Sequence, residues 1–167
     1  MQAWTQFYAT IGTAAAALLG LLFVVVSINV SVALGPEAAV SRRLAEQAFQ
    51  NYLAVMLVAF VALFPGITAT TFGAVTLAGT ASWSAWVVIR FCQTLILHIQ
   101  QRSWRSSLRR HASSVFGFGI MLVSAGRMAL NWGDAYNWLA AAALVLLFSA
   151  TAVSWELLQR IAHRPSG

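Results

Sequence analysis

Five apolar stretches fill most of this sequence, and nearly all the arginines between them fall on alternate connections. That pattern leaves few folds open. A water-soluble domain needs roughly a quarter of its residues charged. Here 8% of 167 residues are charged and 60% are hydrophobic, with a mean hydropathy of +0.76. The expected fold class is all-α: a polytopic membrane protein whose single domain, 1–167, is a bundle of five transmembrane helices.

The first span is expected over about 7–34, longer than the ~20 residues that cross a bilayer. Gly35-Pro36 ends it, because proline cannot continue the hydrogen-bond ladder. The segment 37–50, with Arg42, Arg43 and Glu46, reads as a polar connection and an amphipathic lead into the next helix. The apolar run between Gln47 and Ile99 is too long for one crossing, since a single helix would extend about 75 Å at 1.5 Å per residue. Pro65-Gly66, followed by Thr68, Thr70 and Thr71, divides it into spans at about 48–65 and 71–97. The polar segment 100–113 precedes a fourth span at about 114–132. Asn131-Trp132-Gly133-Asp134, of turn composition, separates it from the fifth at about 136–159.

Orientation follows from the arginines. Arg42 and Arg43 lie on the first connection, Arg102, Arg105, Arg109 and Arg110 on the third, and Arg160 and Arg164 in the tail. The N-terminal segment and the other two connections carry none. Cytoplasmic loops are the ones enriched in basic residues, so the N-terminus is expected outside and the C-terminus in the cytoplasm. Trp4, Phe7, Tyr8, Trp132, Tyr136 and Trp138 then fall at the outer edge, as an interfacial aromatic belt would. Membrane orientation also accounts for the net charge of +6, so nucleic acid is not an expected partner.

The first helix reads Gly12-Thr13-Ala14-Ala15-Ala16-Ala17-Leu18-Leu19-Gly20-Leu21-Leu22-Phe23-Val24, followed by Ser27-Ile28. This resembles the opening helix of small bacterial integral membrane proteins of unknown function. Such proteins look similar, too, in a Pro-Gly break after the second span (Pro65-Gly66) and a Trp-x-Leu-Leu near the last helix (Trp155 to Leu158). The resemblance implies a multi-pass protein of the bacterial inner membrane and brings no activity with it.

Three groups of residues stand out. Gly12, Ala16 and Gly20 recur every four positions, a spacing that lets another helix approach closely, within the monomer or between subunits. Charges inside a span cost roughly 2.5–3.5 kcal/mol at the helix centre, which singles out Arg90, Glu156 and Arg127. Counted at 1.5 Å per residue, Arg90, Glu156 and Asn29 fall ~27, ~30 and ~28 Å from the outer edge. They could form one polar cluster at the inner boundary. Alternatively, Arg90 snorkels to the headgroups and Glu156 pairs with Arg160 one turn on. Arg127 is expected to anchor at the outer edge or to pair with Asp134. Finally, Trp104 and Leu108 form a narrow apolar ridge flanked by Arg102, Arg105, Arg109 and Arg110, suited either to anionic lipid headgroups or to a solvated loop.

Chemistry-bearing motifs are sparse. Cys92 is the single cysteine, and His98, His111 and His163 lack metal-ligand spacing. No nucleophile–base motif or phosphate loop is present. The sequence therefore points to a non-enzymatic protein without metal or cofactor, an oligomerising scaffold or accessory subunit. Its expected partners are membrane lipid and a second copy or another membrane protein. The alternative is a small ion channel or transporter, with the Arg90–Glu156–Asn29 cluster lining its path.

Overall fold

The computed structural model describes residues 2–30, 38–98, 104–132 and 135–162, and the side chains within these except at 2–3, 84–98 and 104–113. Among the described residues there are five helices and no strands. They are α1 (Gln2–Ile28), α2 (Ala39–Ala62), α3 (Ala69–His98), α4 (Trp104–Ala129) and α5 (Tyr136–Ala162). Three of them, α1, α2 and α5, are long and apolar enough to cross a membrane. Within α4, Ser114–Ala129 is a shorter apolar segment.

Local chemistry sets the helix ends. Between α2 and α3, Ile67 N–H donates to Phe64 C=O at 3.3 Å. Pro65 supplies the fixed φ of the second turn position, and Gly66 the positive φ of 74° that the third requires. Thr68 then caps α3, its Oγ1 accepting the Thr71 N–H at 3.2 Å. At the end of α4, Asn131 adopts a left-handed φ of 56°. Trp132 N–H reaches Arg127 C=O at 2.8 Å and Asn131 N–H reaches Met128 C=O at 3.1 Å, the pairing of a Schellman cap. Asn29 closes α1 by donating to Val25 C=O from both its backbone and its side chain.

Two helices start earlier than expected. α2 begins at Ala39 rather than near 48, and α4 at Trp104 rather than near 114. Hydropathy locates a membrane edge, whereas a helix ends only where its ladder is interrupted. Arg42, Arg43 and Glu46 do not interrupt it, so they ride on the first turns of α2. The expected Gly35-Pro36 stop lies outside the described residues.

The chain divides into two compact units, Met1–Phe60 with Leu146–Gly167, and Val61–Val145. In the first unit Leu22, Leu44, Ala45, Ala48, Tyr52, Ala150, Val153 and Leu157 form one buried cluster. A Cβ added at Gly12 would stand 2.7 Å from the Ala59 Cβ. Ten residues further along α1, Leu22 joins the cluster with Leu44 to Tyr52, so α1 and α2 run antiparallel. In the second unit α3 meets α4 at Gly73, where an added Cβ would lie 2.6 Å from Ala129 N and 2.9 Å from Ala125 O. Beside that crossing the buried Phe72 stacks on Tyr136, with ring centroids 6.2 Å apart.

Aromatic placement differs from a simple belt. Trp132 and Trp138 are exposed, but Tyr8 and Tyr136 are buried. Trp4, Phe7 and Tyr8 pack on one another, with centroids 5.4–6.4 Å apart.

Candidate functional site

A polar side chain buried along an apolar helix needs a partner, because an unpaired amide or hydroxyl costs roughly 2–7 kcal/mol in such surroundings. The first unit contains a line of such partners between α2 and α5. Asn51 lies midway along α2 and Ser149 midway along α5. They are 1% and 6% exposed, and the Asn51 Nδ2 donates to the Ser149 Oγ at 3.3 Å. The neighbouring Tyr52, equally buried, donates its hydroxyl to Thr151 Oγ1 at 3.3 Å. Ser154 Oγ donates to the Tyr52 oxygen at 3.5 Å, and Thr151 Oγ1 continues to Leu147 C=O at 2.9 Å.

The seam thus joins three hydroxyls in series beside an amide–hydroxyl pair. It contains no carboxylate and no imidazole, so it holds no general base that works near neutral pH. Its chemistry is hydrogen bonding between helices. Among the described residues, no group of three or more His, Cys, Asp or Glu could hold a metal ion.

The expected inner-boundary residues sit as follows. Glu156 accepts from Arg160 Nε at 3.2 Å and Nη2 at 2.9 Å, a partner one turn away on the same helix. Asn29 donates to Val25 C=O at 2.9 Å, within its own helix. Arg90 belongs to α3, and its side chain, and with it the Arg90–Glu156 pair, lies outside the described residues. Arg127 is exposed at the end of α4, where its Nη2 donates to Trp132 C=O at 3.5 Å. Asp134 lies outside the described residues. So do Arg102 and the side chains of Trp104, Arg105, Arg109 and Arg110.

Within the single chain Gly12, Ala16 and Gly20 do not share one contact. Gly12 is buried against Ala59, whereas Ala16 and Gly20 are exposed, and nothing lies within 4 Å of a Cβ built on Gly20. Helix geometry explains the divergence. Each four-residue step advances the face by about 40°, so Gly20 points about 80° away from Gly12. The buried line of α1 instead runs through Tyr8, Ile11, Ala15 and Leu22, at spacings of three, four and seven.

Several residues of structural consequence carry no signal in a hydropathy reading. Asn51 and Tyr52 fall near the start of a span placed at 48–65, where polar groups are unremarkable; the longer α2 moves them to its middle. Gly73 falls just inside the span placed at 71–97 and carries no packing signal there, yet α3 approaches α4 closely at this position.

No family model, no curated protein and no solved structure matches this chain.

Proposed function

We propose that this chain is a non-enzymatic, multi-pass protein of the bacterial inner membrane, an oligomerising scaffold or accessory subunit that assembles through α1. In this reading it crosses the bilayer five times, with the N-terminus outside and the C-terminus in the cytoplasm. The arginine asymmetry supports the orientation, and the resemblance of the first helix supports the bacterial inner membrane. The segment around Trp104 and its flanking arginines rests on anionic headgroups.

The observation that carries the proposal is the exposure of α1. Only 22% of its apolar span is buried, against 50% for α2 and 44% for α5. Its exposed side combines small residues, Thr13, Ala16, Ala17 and Gly20, with the bulkier Leu21, Phe23 and Val24. In lipid, association gains little from the hydrophobic effect and depends on close packing, which small residues permit. A second helix can therefore approach α1 closely on this side.

The test is the oligomeric state of the purified protein in lipid nanodiscs or mild detergent, with and without Gly20→Leu. The added side chain meets open space in the single chain. Loss of the oligomer with the folded monomer retained supports α1 as the assembly face. A parent protein that is monomeric in native-like lipid overturns the proposal.

A further inference from the structure

We infer that the polar seam between α2 and α5 is a register lock, which selects one pairing of the two helices and adds little to their stability. This goes beyond the scaffold role and does not depend on it.

Many of the apolar side chains around the seam are small, although Leu44 and Leu157 pack in the same cluster. Ala45, Ala48 and Val55 of α2 and Ala150 and Val153 of α5 are all buried. Contacts among such side chains change little when one helix slides by a turn. Lipid does not penalise the slide either, since it is as apolar as the interface. The small side chains therefore fix the register weakly, and Leu44 and Leu157 leave part of the selection to the polar bonds.

The hydrogen bonds behave differently. A slide of one turn is 5.4 Å, enough to break the 3.3 Å bonds of Asn51 to Ser149 and Tyr52 to Thr151. Asn51 lies twelve residues into α2 from Ala39, about 18 Å along the axis, and is 1% exposed, away from water. A made bond contributes little net stability, whereas a broken one leaves a buried polar group unsatisfied. That asymmetry turns a weak interaction into a strong selector, as with single buried polar residues that set helix registry elsewhere.

The seam also fixes rotation. Asn51 and Tyr52 are consecutive, so their side chains leave α2 about 100° apart. Asn51 reaches Ser149 while Tyr52 reaches Thr151 and Ser154. One setting of α2 against α5 satisfies both.

The test uses the full chain with Cys92→Ser, carrying spin labels at the exposed positions Leu57 and Trp155. Distance distributions are compared for the parent, Tyr52→Phe, and Asn51→Leu combined with Tyr52→Phe. The parent should give one narrow distance. The double variant should broaden it or add a population displaced by about 5 Å, one helical turn. Helical content should be unchanged, and the melting temperature within about 4 °C of the parent. An unchanged single distance in the double variant overturns the proposal. Loss of folded protein in the nearly isosteric Tyr52→Phe overturns it as well, because the seam would then be a source of stability.

Discussion

Gly12 of α1 lies so close to Ala59 of α2 that a Cβ added to it would stand 2.7 Å from the alanine Cβ. Gly20, on the same helix, has open space where its Cβ would be. The two glycines share a sequence pattern and differ in role. One admits a neighbouring helix of the same chain, and the other leaves a face free.

Gly12→Leu should therefore destabilise the single chain by about 1–3 kcal/mol, the usual cost of overpacking. Gly20→Leu should leave the unfolding of the monomer unchanged. Thermal unfolding in detergent, with mass measurement of the particle, reads both. Equal destabilisation by the two substitutions would mean that Gly20 is covered in the folded monomer.

Gly73→Ala should be the most damaging glycine-to-alanine change among these positions. Its Cβ would meet the backbone of α4, 2.6 Å from Ala129 N and 2.9 Å from Ala125 O, as well as the Met128 Cβ at 2.6 Å. Backbone cannot swing aside as a flexible side chain does, so α3 and α4 must separate, at about 1–3 kcal/mol. Gly79→Ala and Gly119→Ala meet nothing within 4 Å and should gain up to about 1 kcal/mol from helix propensity. Opposite signs of the melting-temperature shift for Gly73 and Gly119 would check the crossing.

The sequence made the helical class legible because the apolar runs are long and charge is scarce. It made the Pro65-Gly66 turn legible because those two residues suit consecutive turn positions. It concealed the true start of α2, since arginine is compatible with helix and marks only a water boundary. Hydropathy places the span edge about two and a half turns inside α2, so Asn51 and Tyr52 read as boundary residues rather than central ones. The small-residue face of α1 was legible as spacing, but spacing every four residues drifts around the helix and so cannot say which residues touch.

Topology is open to direct measurement. With Cys92 replaced and Ser106→Cys introduced, the arginine-rich segment before the fourth apolar run should react with an impermeant thiol reagent only from the cytoplasmic side. A cysteine at Ala69, beside the uncharged Pro65-Gly66 turn, should react only from outside. Labelling of position 106 in intact cells would reverse the assigned orientation.

The Glu156–Arg160 pair decides how the C-terminal end of α5 should respond to mutation. Its N···O distance is 2.9 Å, and the arginine and glutamate side chains are 41% and 30% exposed. Solvent screens a pair this open, and i, i+4 pairs on helices contribute only about 0.3–0.5 kcal/mol. Glu156→Gln should therefore cost no more than about that amount, and a double-mutant cycle with Arg160→Gln should recover it as coupling. The same cycle with Arg90→Gln should be additive if Arg90 snorkels to the headgroups. A truly buried Arg90–Glu156 pair would behave otherwise, since removing one partner strands the other charge at a cost of about 3–5 kcal/mol. Coupling of that size between Arg90 and Glu156 would place an ion pair inside the membrane and favour a conducting path over a scaffold.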